Sequence, residues 1–73
     1  MEYARLTDGN TTIIVVDQDD PKNAAWPFAI KMKTGSKQFK QVDARISLGK
    51  AIQAATEEMR HAAQRFGTWD REY

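Results

Sequence analysis

The tripeptide Asp8-Gly9-Asn10 separates "MEYARL" from "TTIIVVD", and it constrains the fold more tightly than anything else in the chain. A tight hairpin turn needs positive φ angles, which glycine adopts without strain and Asn or Asp tolerate, so Asp8-Gly9 or Gly9-Asn10 can close the loop. The flanking runs then form hairpin 1, over residues 1–17. In either register Ala4 and Leu6 share a face with Ile13 and Val15, while Tyr3 shares the opposite face with Ile14 and Val16. Both faces are apolar, and a strand apolar on both sides is normally buried on both. The second face therefore calls for a cover, either the C-terminal tail or a second copy of the chain.

Residues 24–42 read as a second, basic hairpin. Trp26, Phe28, Ile30 and Met32 alternate with Pro27, Ala29, Lys31 and Lys33, the period of a strand with one buried face. Pro27 marks an edge strand or the start of a strand. If Gly35 and Ser36 are the central turn residues, Thr34 faces Lys37, Met32 faces Phe39 on the inner side, and Lys31 faces Lys40 on the outer side. Like charges in that relation are mildly destabilising, so something negative is expected across Lys31, Lys33 and Lys40. Lys37, expected on the inner side, has to snorkel past the hairpin end. The bland alternative is that these lysines splay into water and keep an exposed strand from pairing with other chains.

Between the hairpins, "DQDDPKN" matches the first and third ligand positions of an EF-hand with Asp17 and Asp19. The match then fails: Pro21, Lys22 and Phe28 occupy the positions of the third ligand, the turn glycine and the bidentate glutamate. No metal site is expected, and the stretch reads as a solvated turn in which Pro21 ends the strand.

A helix over residues 47–66 follows. Leu48, Ile52, Ala55, Met59, Ala62 and Phe66 recur at spacings of four and three, Ser47 is the expected N-cap with Asp43 its rival, and Gly67 is positioned to end the helix. Several alanines leave the packing side flat, which lets a sheet approach closely. The tail, residues 67–73, carries Trp69 and Tyr73; these either fold back over hairpin 1 or join Tyr3 as aromatics of a contact surface. The fold class expected is α+β: two antiparallel hairpins in ββββα order forming one small sheet, with a C-terminal helix on one face.

Size limits what such a fold can do. A single domain of 73 residues buries only about 60% of the surface its unfolded chain exposes. With no cysteine and one histidine, His61, neither disulfides nor a zinc site reinforces it. Oligomerisation is one remedy for so small a core, and a homodimer through hairpin 1 is an expectation. The N-terminal residues have neither the basic nor the apolar region of a signal peptide, and no apolar run reaches membrane-spanning length. The expectation is a soluble, cytoplasmic protein without a membrane partner.

Charge is unevenly distributed: residues 1–20 contribute −4, residues 22–50 contribute +6 and residues 51–73 contribute −1. Segregation of this kind hints at an acidic or polyanionic partner. No phosphate loop, HExxH, nucleophile elbow or convincing carboxylate pair occurs, so no enzyme activity and no cofactor are expected. The leading expectation is a binding protein that acts by stoichiometric contact with an acidic protein surface, of the kind phages and mobile elements use to inhibit a host machine. Its contact residues are Lys31, Lys33, Lys37 and Lys40. The alternative is a nucleic-acid-binding sheet that sets the lysine hairpin on phosphates. Against it stand the near-neutral charge, the acidic first segment, the lack of arginine on the hairpin and the lack of an exposed aromatic between the lysines.

Overall fold

Glycines close both hairpins: Gly9 has φ 59° and Gly35 φ 62°, and no other described residue adopts a positive φ. The computed structural model describes the backbone of residues 1–71 and the side chains of residues 1–61 other than residue 23. In chain order the strands and the α-helix are β1 (Glu2–Asp8), β2 (Thr11–Asp17), β3 (Phe28–Thr34), β4 (Lys40–Arg45) and α1 (Leu48–Arg71), with one 3-10 turn, Pro21–Asn23, between β2 and β3. The strands form one antiparallel sheet in the order β1-β2-β3-β4. The ββββα architecture matches the sequence expectation, and Pro27 immediately precedes an interior strand.

In hairpin 1, Leu6 pairs with Ile13 and Ala4 with Val15, the inner face expected from the alternation. Gly9 and Asn10 form the two-residue loop; positive φ at the first of the two only is the pattern of a II′ turn. Tyr3 departs from expectation. The register shifts between Glu2 and Ala4, so Tyr3 is the extra residue of a bulge rather than a neighbour of Ile14 and Val16. Its ring meets Phe28 edge-on at 5.4 Å, and its hydroxyl donates to Asp17 Oδ1 at 2.6 Å.

The core forms where β2 and β3 meet the helix. Ile13, Val15 and Ile30 are fully buried against Ala51, Ala54 and Ala55, with Ala4, Leu6, Phe28, Met32, Leu48 and Met59 around them. Each buried isoleucine or valine contributes about 1.5–3 kcal/mol relative to exposure. The alanine side of the helix allows the expected close approach, but it also sets the rotation. Because Ala51 and Ala54 take the centre of the contact, Ile52 is left at its margin, 39% exposed, instead of on the packed stripe.

Ser47 caps the helix: its Oγ accepts from the Lys50 N–H at 3.3 Å and its carbonyl from the Ala51 N–H at 3.0 Å. Asp43, the rival cap, instead accepts from the Ala44 N–H and pairs with Arg45 at 2.8 Å. The helix does not stop at Gly67 but runs to Arg71. Glycine lowers helix propensity by about 1 kcal/mol yet keeps both backbone hydrogen-bonding groups, so it permits an end without imposing one. Trp69 lies within this helix; its side chain, and Tyr73 altogether, lie outside the described residues, as does the expectation that they cover hairpin 1.

Candidate binding face

One side of the sheet carries the helix and the other carries none, so strand alternation decides which charges are exposed together. Arg5, Ile14, Lys31 and Gln41 make one cross-strand row on the bare side. Thr7, Thr12 and Lys33 make the next, and Glu2, Val16, Ala29 and Ala44 the third. Ile14 is only 8% exposed although no helix covers it. It sits between Arg5 and Lys31, whose alkyl stems can shield it while their charged ends reach water. Among the described residues, long polar side chains thus give Ile14 part of the cover that the sequence called for.

The four lysines do not form one platform. Lys31 and Lys33 stand together on the bare face, but Lys31 pairs with Gln41, not with Lys40. Lys40 pairs with Met32 and so takes the helix side of the edge strand, while Lys37 lies exposed in the hairpin loop instead of on the inner side. The expected register fails because the loop is longer than two residues. Gly35 and Ser36 do turn the chain, with the Lys37 N–H donating to the Thr34 carbonyl at 3.3 Å, but β4 begins only at Lys40. Gly35 also donates its N–H to the Asn10 carbonyl at 2.7 Å, which ties this loop to the turn of hairpin 1. A bulge between Ile30 and Lys31, with Val42 as the extra residue, then restores the inner alignment of Asp43 and Arg45.

Phe39, expected opposite Met32, leaves the strand. Its ring lies under Lys33, whose Nζ is 5.1 Å from the ring centroid. Met32 loses that partner but packs against the helix core instead. The bare face therefore gains an aromatic beside a lysine, and Arg5 arrives from β1. Neither was among the expected contact residues. Arg5 was recoverable, because it alternates with Ala4 and Leu6; Phe39 was not, because simple alternation turned it inward.

Acids are distributed oppositely. Asp8, Asp17 and Asp43 occupy helix-side positions of their strands, paired with Thr11, Phe28 and Ile30. Among the described strand residues Glu2 is the acid of the bare face, and it is bound to Arg5 through two hydrogen bonds of 2.7 and 3.0 Å. The Arg5 hydrogen bond holds the Glu2 carboxyl below its ordinary pKa, and Glu2 raises that of Arg5. Lys31 and Lys33 have no acid opposite them in the register.

Elsewhere an open hollow of about 280 Å³ lies between β4 and α1, lined by Arg45, Lys50, Gln53, Ala54 and Glu57. Arg45 is already engaged by Asp43. Among the described residues no three His, Cys, Asp or Glu side chains come together in a way that could hold a metal ion, and no helix is long and apolar enough to cross a membrane. Compared with known proteins, the chain matches no family model, no curated protein and no solved structure.

Proposed function

We propose that this chain is a non-enzymatic binding domain that engages nucleic acid through the bare face of its sheet. The observation that supports this reading most is the register, which gathers Arg5, Lys31 and Lys33 with Phe39 on one face and sends most strand acids to the other. Cations set on a rigid sheet neutralise phosphates without ordering a flexible loop, and a neighbouring aromatic offers a π-face to a base. Arg5, from β1, and Phe39, from the loop of the basic hairpin, bring to this face an arginine and an aromatic, two of the features whose absence from that hairpin weighed against this reading in the sequence.

The test is a titration of fluorescently labelled DNA and RNA at increasing salt. Binding in the micromolar range at low salt, weakening steadily as salt rises, is the expected result. Lys31→Glu combined with Lys33→Glu should weaken it at least about tenfold and flatten the salt dependence. No binding at low salt overturns the reading.

A second reading, stoichiometric contact with an acidic protein as an adaptor, subunit or inhibitor, is favoured by a separate observation. Trp26 and Ile46 are 48% and 61% exposed at the same end of the sheet, beside the Asp17, Phe28 and Arg45 row. Exposed aromatic and aliphatic side chains of this kind anchor protein interfaces. Binding that survives Lys31 and Lys33 reversal but is lost on Trp26→Ala would favour it.

A further inference from the structure

We infer that the nucleic acid suited to the bare face is single-stranded, with a base on Phe39 and successive phosphates at Lys33 and Lys31. This rests on the reading proposed above and adds the form of the partner and the role of Phe39. The first argument is width. The face is four strands across, so its outer strands lie about 14 Å apart at about 4.8 Å per step. A B-form major groove is about 12 Å wide and admits a helix or a two-stranded ribbon. The face as a whole cannot enter that groove, whereas a single strand can lie along it.

The second argument is spacing. Lys31 and Lys33 are two residues apart on β3 and point the same way, so their attachment points lie about 6.6 Å apart. That is comparable to the step between successive phosphates of an extended single strand. Arg5, in the same row as Lys31 but two strands over, lies about 10 Å to the side. It is held by Glu2 and sits where a neighbouring sugar or base passes.

The third argument is the aromatic. Phe39 is half-buried in the loop beyond β3, with the Lys33 ammonium 5.1 Å from its ring centre. The ring marks the hairpin end of the lysine track. A base stacked there brings its own phosphate to Lys33, and exchanging the ring for a phosphate costs Lys33 little, because an exposed cation–π contact contributes only about 0.5–1 kcal/mol. In a duplex the bases are already stacked and paired, so the ring gains nothing from them. A single strand supplies free base faces.

The experiment compares one labelled 15-nucleotide strand with the same strand annealed to its complement, by fluorescence anisotropy across a salt series. The single strand should bind at least about tenfold more tightly, with a log–log salt slope of about −1.4, as expected for about two neutralised phosphates at about −0.7 each. Phe39→Leu should lower single-strand affinity at least about fivefold and leave the salt slope unchanged, and Phe39→Tyr should retain affinity because it keeps the ring. Circular dichroism melts of both variants establish that each is folded. Duplex binding as tight as single-strand binding, or a folded Phe39→Leu variant with unchanged affinity, overturns this inference while leaving the proposed function standing. Absence of binding to either form removes both.

Discussion

The Asp17 side chain joins the end of β2 to the chain's N-terminus and to Tyr3. Its Oδ1 accepts from the Tyr3 hydroxyl at 2.6 Å, and its Oδ2 receives the Met1 amine at 3.0 Å. The Tyr3 hydrogen bond, then that of the amine, lowers the Asp17 pKa, and the same hydrogen bond raises that of Tyr3. The two shifts act at opposite ends of the pH scale. A carboxyl with a depressed folded pKa adds stability that is fully present above its unfolded value, about 3.9, and is lost as pH falls through the folded value. A phenol with a raised folded pKa adds stability present below about 10, lost as pH rises through the folded value. Tyr3→Phe should therefore abolish this alkaline loss and reduce the acid loss, while Asp17→Asn removes the acid loss and, because the amide oxygen can still accept from Tyr3, only reduces the alkaline one. Melting temperatures measured from pH 2.5 to 11 check this, and parallel curves for wild type and Tyr3→Phe would count against the hydrogen bond. The sequence suggested that Tyr3 matters but not why. Alternation alone put it on the outer face, and the bulge that turns it toward Asp17 depends on a partner fourteen residues away in sequence, which no local pattern encodes.

Among the elements, hairpin 1 was legible from its residues and hairpin 2 was not, for a physical reason. In hairpin 1 either turn that Gly9 allows puts Ala4 and Leu6 on one face with Ile13 and Val15, so the inner face was readable without choosing between the two registers. In hairpin 2 the inner-face pairing of Met32 with Phe39 looked decisive, but the helix supplies Met32 with apolar neighbours and frees Phe39 to meet Lys33. A tertiary contact thus replaced the cross-strand pair on which the register argument depended, and the lysine platform was dispersed with it. Helix type and N-cap were readable because both are local; its rotation was not, since it depends on how closely the alanines approach the sheet. Glycines give a test at this scale. A Cβ at Gly35 or Gly49 would meet nothing within 4 Å, but Gly35 has φ 62° while Gly49 lies in the first turn of α1. Space therefore cancels from the comparison and conformation decides. Gly35→Ala should destabilise by about 1–2 kcal/mol, and Gly49→Ala should stabilise by up to about 1 kcal/mol. Urea denaturation of the two variants measures both signs, and a shared sign would contradict the backbone argument.

Across the whole molecule the sheet separates the closed core from a row of cations by face, and under the proposed reading only the second face binds. The helix side holds the closed core of Ile13, Val15 and Ile30 under Ala51, Ala54 and Ala55, and the bare side holds Arg5, Lys31 and Lys33 over Ile14, Val16 and Ala29. For 73 residues total stability is on the order of 4–11 kcal/mol, so a single core truncation takes a large share. Ile30→Ala, fully buried in wild type, should cost about 2–5 kcal/mol and lower the melting temperature by about 8–40 °C. Changing Lys31 and Lys33 to Gln alters no packed apolar contact in that core and should cost no more than about 1 kcal/mol each, leaving the melt nearly in place while the proposed nucleic-acid binding weakens. The separation is not complete, because β2 serves both sides: Ile13 and Val15 face the core while Ile14, between them, supports the cationic row. Ile14→Ala should therefore affect both readouts, lowering stability and loosening Arg5 and Lys31, where Ile30→Ala affects stability alone once measured well below its melt. If Ile30→Ala and Lys31→Gln/Lys33→Gln instead changed both properties in proportion, the two faces would not be acting independently, and the binding site would have to be sought elsewhere on the surface.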